Sequence, residues 1–128
     1  MTVVQTAALA ACVLLAGLAV FQVALIAGAP VGRFAWGGQH KVLPAKLKAG
    51  SAVSILLYFV FGWLALGHAG LLPVPGGRTL TSVAVWVLTG YFALGVAMNA
   101  ISRSKPERLV MTPLALVLAV LFLVLALN

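Results

Sequence analysis

Apolar residues fill four stretches of the chain, about Val3 to Ala27, Ser51 to Leu66, Leu80 to Ile101 and Leu109 to Leu127. None alternates strictly between apolar and polar positions, and each is too long for a strand. A helix satisfies its own backbone polar groups, as hydrocarbon demands, and about 20 apolar residues are enough to cross a bilayer. The pattern therefore predicts an all-α, polytopic membrane protein with a four-transmembrane-helix bundle. It has a long first cytoplasmic loop, and residues 1–128 form one integral membrane domain.

The breaks agree with this division. Gly28, Ala29 and Pro30 close the first run, since proline disfavours helix in the residue before it. Gly67 to Gly77, with Pro73 and Pro75, makes a short second connection. At the third, Ser104-Lys105-Pro106-Glu107 has the spacing of a capping box, which predicts a fourth helix from Lys105 and a kink or tight first turn at Pro113. The expected helices are about 3–27, 51–66, 80–101 and 105–127. No basic residue precedes Arg33, so the first run reads as a retained helix rather than a signal peptide.

Composition and charge sharpen the picture. Of 128 residues, 64% are hydrophobic and 7% charged, which excludes a soluble globular domain and a disordered chain. The net charge is +7, with Glu107 the one carboxylate side chain. Arg33, Lys41, Lys46, Lys48, Arg103, Lys105 and Arg108 fall in the first and third connections, and Arg78 alone falls on the other side. That bias places residues 28–50 and 102–108 in the cytoplasm and both termini outside it. The natural partners of these charges are membrane lipids with anionic headgroups, not nucleic acid.

Packing between apolar helices in lipid depends on small and polar residues, because lipid tails are as apolar as leucine. On helix one, Gln5, Ala8, Cys12, Leu15, Ala19 and Gln22 share a face expected to point inward. Ser51, Ser54, Tyr58 and Gly62 do the same on helix two, and Ser82, Trp86, Thr89, Gly90, Ala93 and Ala97 on helix three. Helix four is nearly pure Leu, Val and Ala after Pro113, and is expected to be the lipid-facing wall. Gln22, Ser51, Ser54, Tyr58 and Asn99 all fall in the cytoplasmic half, either as the floor of a pocket or as interhelical hydrogen-bonding glue.

The first loop, GAPVGRFAWGGQHKVLPAKLKAG, is long for a helix connection and carries most of the candidate chemistry. Phe34 and Trp36 suit the membrane interface, and Lys41, Lys46 and Lys48 mixed with Val42, Leu43 and Leu47 suggest a segment lying on the inner leaflet. His40 and Glu107 fall on the same side and form a candidate acid–base pair, with Tyr58 a third proton-transfer candidate. Candidate ligand- or headgroup-binding residues are Arg33, Trp36, Gln39, His40, Asn99, Arg103, Arg108 and Gln22. His68 is expected to be an outer interface residue. His40, His68 and Cys12 do not form a metal-ligand cluster, and no cofactor is implied.

The string Gly28-Ala29-Pro30-x-Gly32, then Ala35-Trp36-Gly37-Gly38-Gln39-His40 and Leu43-Pro44, resembles a pattern in an uncharacterised family of small bacterial four-helix integral membrane proteins. Asn99-x-x-Ser102-x-Ser104-x-x-Glu107-Arg108 is similar to a second signature of that family. The resemblance implies a bacterial plasma membrane location but no activity. Three functions stay open. One is a lipid-binding protein or accessory subunit, alone or within a homo-oligomer or larger complex. A second is an enzyme acting on a lipophilic substrate at the inner leaflet. The third is an oligomeric channel or facilitator with Gly90, Ala93 and Ala97 near the pore.

Overall fold

The computed structural model describes residues 1–128 and places four helices in one bundle, α1 (Val3–Ile26), α2 (Ala45–His68), α3 (Gly77–Ala100) and α4 (Lys105–Leu127). All four are long and apolar enough to cross a membrane, and the chain is a multi-pass membrane protein. Successive helices run antiparallel. One end of the bundle therefore holds both termini and the α2–α3 turn, and the other, basic end holds the remaining two connections. α1 pairs closely with α2 and α3 with α4. The two hairpins then pack through α1 against α4 and, less extensively, α2 against α3.

Small side chains let the first pair approach. Ala8, Ala11 and Leu15 of α1 are buried, as are Gly62 and Ala65 of α2. The Cys12 thiol lies 3.7 Å from the Gly62 carbonyl. A cluster of rings joins the hairpins at mid-depth. Phe61 of α2 meets Tyr91 and Phe92 of α3 edge-on at 5.5 and 5.9 Å, and Phe92 stacks on Phe122 of α4 at 5.3 Å. Such pairs are worth about 0.5–1.5 kcal/mol each beyond the area they cover.

α2 begins at Ala45, six residues before the apolar run, so Lys46 and Lys48 lie on its first turn rather than on a separate surface segment. Pro44 sits at the N-cap with φ −69° and ψ 162°, a conformation its ring favours, and the lysine stems carry their charges out to water. α4 is not the lipid-facing wall. Ala115, Leu118, Ala119, Phe122 and Leu125 make it a core helix that contacts the other three. On α3 the buried residues are Thr81, Val85, Leu88 and Phe92, whereas Trp86, Gly90, Ala93 and Ala97 face outward. A pore lined by those residues would need several copies of the chain. The faces expected on α1 and α2 do point inward: Ala8, Leu15, Gln22, Ser51 and Gly62 are buried. α4 continues through Pro113 without a break, although the Leu109 carbonyl there lacks the amide donor a helix normally supplies.

His68 is an interior residue, only 2% exposed, rather than an interface one. Its Nε2 lies 2.7 Å from the Leu125 carbonyl, which can only accept, so this nitrogen carries the proton. Its Nδ1 lies 3.1 Å from the Thr81 hydroxyl. Arg78 donates to the His68 carbonyl at 3.1 Å and also to the Asn128 carbonyl. One imidazole thus ties the ends of α2, α3 and α4 together and satisfies a last-turn carbonyl of α4.

Candidate functional site

At the basic end, the α1–α2 connection folds back against the start of α4. Gly32–Phe34 and Trp36–Gly38 form two short 3-10 turns. Trp36, Gly37 and Gly38 have φ of 53°, 73° and 72°, a left-handed run that costs a side-chain-bearing residue about 1–2 kcal/mol. Glycine at the second and third positions keeps that cost to Trp36. Gly38 is also a point of contact, because a Cβ there would collide with the Ser104 side chain. Likewise a Cβ on Gly32 would meet the His40 carbonyl, and the Gly32 N–H donates to the Lys41 carbonyl at 2.8 Å.

Two further contacts pin the loop, and they overturn the expected capping box. The Ser104 hydroxyl donates to the Arg33 carbonyl, and the Gly37 N–H donates to Glu107 Oε2 at 3.3 Å. Ser104 is the N-cap of α4, with extended backbone angles, yet its side chain accepts nothing from the helix. The tertiary partners have taken both side chains. A reciprocal Thr2–Gln5 box, with the T-x-x-Q spacing in the sequence, caps α1 instead.

Above this loop lies a cavity of about 350 Å³. Its walls come from every helix: Leu18 and Phe21 of α1, Tyr58 of α2, Tyr91, Phe92 and Gly95 of α3, and Met111, Leu114 and Ala115 of α4. Phe34 and Trp36 of the loop close the basic end. Trp36, Tyr91, Leu94 and Met98 line it while remaining largely exposed, so they mark its mouth on the membrane-facing side of α3. The Trp36 ring also packs on α2, where a Cβ on Gly50 would lie 2.9 Å from it.

The polar groups of the cavity are Gln22, Tyr58, Tyr91, Asn99 and Glu107. Glu107 is 7% exposed and has no basic nitrogen within ion-pair distance, in a chain of net charge +7. Gln22 is 8% exposed, and its Oε1 has no hydrogen-bonding partner, although its side chain lies beside the Tyr58 hydroxyl. Asn99 donates its amide N–H to the Gly95 carbonyl at 2.8 Å, which leaves its oxygen as an acceptor. Ser51 and Ser54, placed by sequence in the same polar group, take no part. Ser51 is buried without a partner and Ser54 bonds its own helix at Gly50.

The other sequence candidates scatter around the rim. Arg33 is exposed with its guanidinium 6.0 Å from the centre of the Phe34 ring. Gln39 and Arg103 border a shallow polar groove beside Lys105. Arg108 is half-buried and donates to the Ser102 carbonyl at 2.9 Å. His40 is exposed, lies outside the cavity lining and forms no hydrogen bond or ion pair with Glu107. The candidate acid–base pair is therefore not assembled. No family model, curated protein or solved structure matches this sequence. The cavity and its carboxylate carry the functional reading.

Proposed function

We propose that this is a lipid-binding protein of a bacterial plasma membrane that holds an amphiphile from the cytoplasmic leaflet in the cavity beneath Trp36. One observation carries the reading: a space of about 350 Å³ with apolar walls and a polar end that includes the buried Glu107. Ligand sites of about 300–1,000 Å³ combine apolar walls with a few convergent polar groups. The side mouth suits a molecule that keeps its chain in the bilayer while its head turns inward. Arg33, Lys41, Lys46, Lys48, Arg103, Lys105 and Arg108 surround the same end and would hold it against anionic headgroups, at about 1 kcal/mol per residue near the surface.

Gly95→Leu tests the site. A Cβ at Gly95 makes only an ordinary 3.9 Å contact with Ala115, and the rest of the leucine takes up part of the cavity that Gly95 lines. Native mass spectrometry of the protein extracted in mild detergent should show retained lipid for the wild type and a loss of about tenfold or more for the variant. Equal retention by both proteins would remove the cavity from consideration.

The orientation has its own test. In a Cys12→Ala background, Gln39→Cys should react with an impermeant maleimide only after cells are opened, whereas Thr79→Cys should react in intact cells. The reverse pattern would put the cavity in the outer leaflet.

A further inference from the structure

We infer that the group this cavity selects is an ammonium bearing at least one N–H, carried on an apolar chain and bound by Glu107. The inference rests on the lipid-binding reading and names the ligand's chemistry. Glu107 is the protein's single carboxylate side chain, yet none of the eight Lys and Arg residues pairs with it. Burying an unpaired charge is costly unless a partner arrives. Within the protein, its one hydrogen bond is from the Gly37 N–H at 3.3 Å, which leaves most of its acceptor capacity open.

The surroundings fit a donor. Asn99 has given one of its two amide N–H groups to Gly95 and its oxygen is free to accept, and Gln22 Oε1 has no partner. The rings of Trp36, Tyr58 and Tyr91 line the same space, and aromatic faces attract cations. No Lys or Arg lines it, so a phosphate, sulfate or carboxylate would sit against Glu107 with no cationic side chain to offset the repulsion. The basic residues lie outside, where they can hold anionic lipid without entering the site.

Two sources carry this chemistry, the phosphatidylethanolamine headgroup and a soluble long-chain amine. The full chain in mild detergent is offered phosphatidylethanolamine, phosphatidylcholine and phosphatidylglycerol in one series, and dodecylamine, dodecanol and dodecyl sulfate in another. Retention is read by native mass spectrometry. The expected result is at least about a tenfold preference for phosphatidylethanolamine, for dodecylamine, or for both over their series partners, the size of one charge-assisted hydrogen bond. A preference in the first series alone identifies a lipid headgroup, and in the second alone a soluble amine.

Glu107→Gln keeps an acceptor for the Gly37 N–H and should lose the preference while still retaining apolar chains. Glu107→Asp should keep it in part. The inference is overturned if anionic or uncharged heads are retained as well as amines, or if Glu107→Gln keeps the preference. Those wild-type comparisons stand even if neither variant folds. Failure of the cavity reading looks different: the wild type then retains no amphiphile of any head, or Gly95→Leu retains as much as the wild type.

Discussion

Phe92→Ala should lower the stability of the bundle by at least about 2 kcal/mol, measured as equilibrium unfolding in mixed micelles. The corresponding change in a water-soluble core typically costs roughly 3–5 kcal/mol, part of which is transfer from water, and lipid weakens that part. What remains is the loss of packing. Phe92 touches Phe61 and Tyr91 edge-on and stacks on Phe122, so its removal opens the place where the two hairpins meet. It also lines the cavity, so amphiphile retention should fall in the same variant. Leu94→Ala is the control. Leu94 is 62% exposed on the same helix, and its loss should cost less than about 0.5 kcal/mol. Equal effects at the two positions would mean that the ring cluster does not hold the hairpins together.

The second large effect is expected at Gly38. Gly38→Ala forces a side chain into a left-handed conformation, at about 1–2 kcal/mol. It also drives the new Cβ into the Ser104 side chain, so the loop must lift away from α4. The bonds from Ser104 to Arg33 and from Gly37 to Glu107 would then break, each worth about 1 kcal/mol. Gly37→Ala separates the two causes. Its φ is nearly the same, +73°, but a Cβ there meets nothing within 4 Å, so it should pay the backbone cost alone. Limited proteolysis of residues 30–42 should accelerate strongly in the Gly38 variant and little in the Gly37 variant. Matching proteolysis rates would show that the contact with Ser104 does not anchor the loop.

Together these two sites define how the cavity is built. The ring cluster sets its inner limit and the pinned loop its outer one. Glu107 belongs to both the loop contact and the cavity wall, because a single carboxylate accepts from Gly37 and still lines the cavity. Loop position and ligand binding should therefore be coupled. Lifting the loop in Gly38→Ala takes away a hydrogen bond from the group proposed to bind the head, so proteolysis and retention should change together.

The chain's own pattern determines the class of fold. Four apolar runs of bilayer length cannot be paired as strands or left as loops in hydrocarbon, so four spanning helices follow from residue order alone. It also determines which positions on α1 and α2 turn inward, because small and polar residues such as Ala8, Gln22, Ser51 and Gly62 contrast with their neighbours. The same contrast misleads on α3 and is absent from α4. Lipid and protein interior are equally apolar, so a leucine stripe such as Leu118 and Leu125 carries no mark of the side it faces, and only packing places it in the core. Tertiary structure alone also decided the fate of the polar groups. Ser104 and Glu107 have the spacing of a helix cap, but the α1–α2 connection arrives with an unpaired carbonyl and an unpaired N–H and takes both side chains. His68 reads as a surface residue until the ends of α3 and α4 close over it. Partners far apart in the chain settle these roles, since a buried polar group goes to whichever donor or acceptor the fold brings within reach.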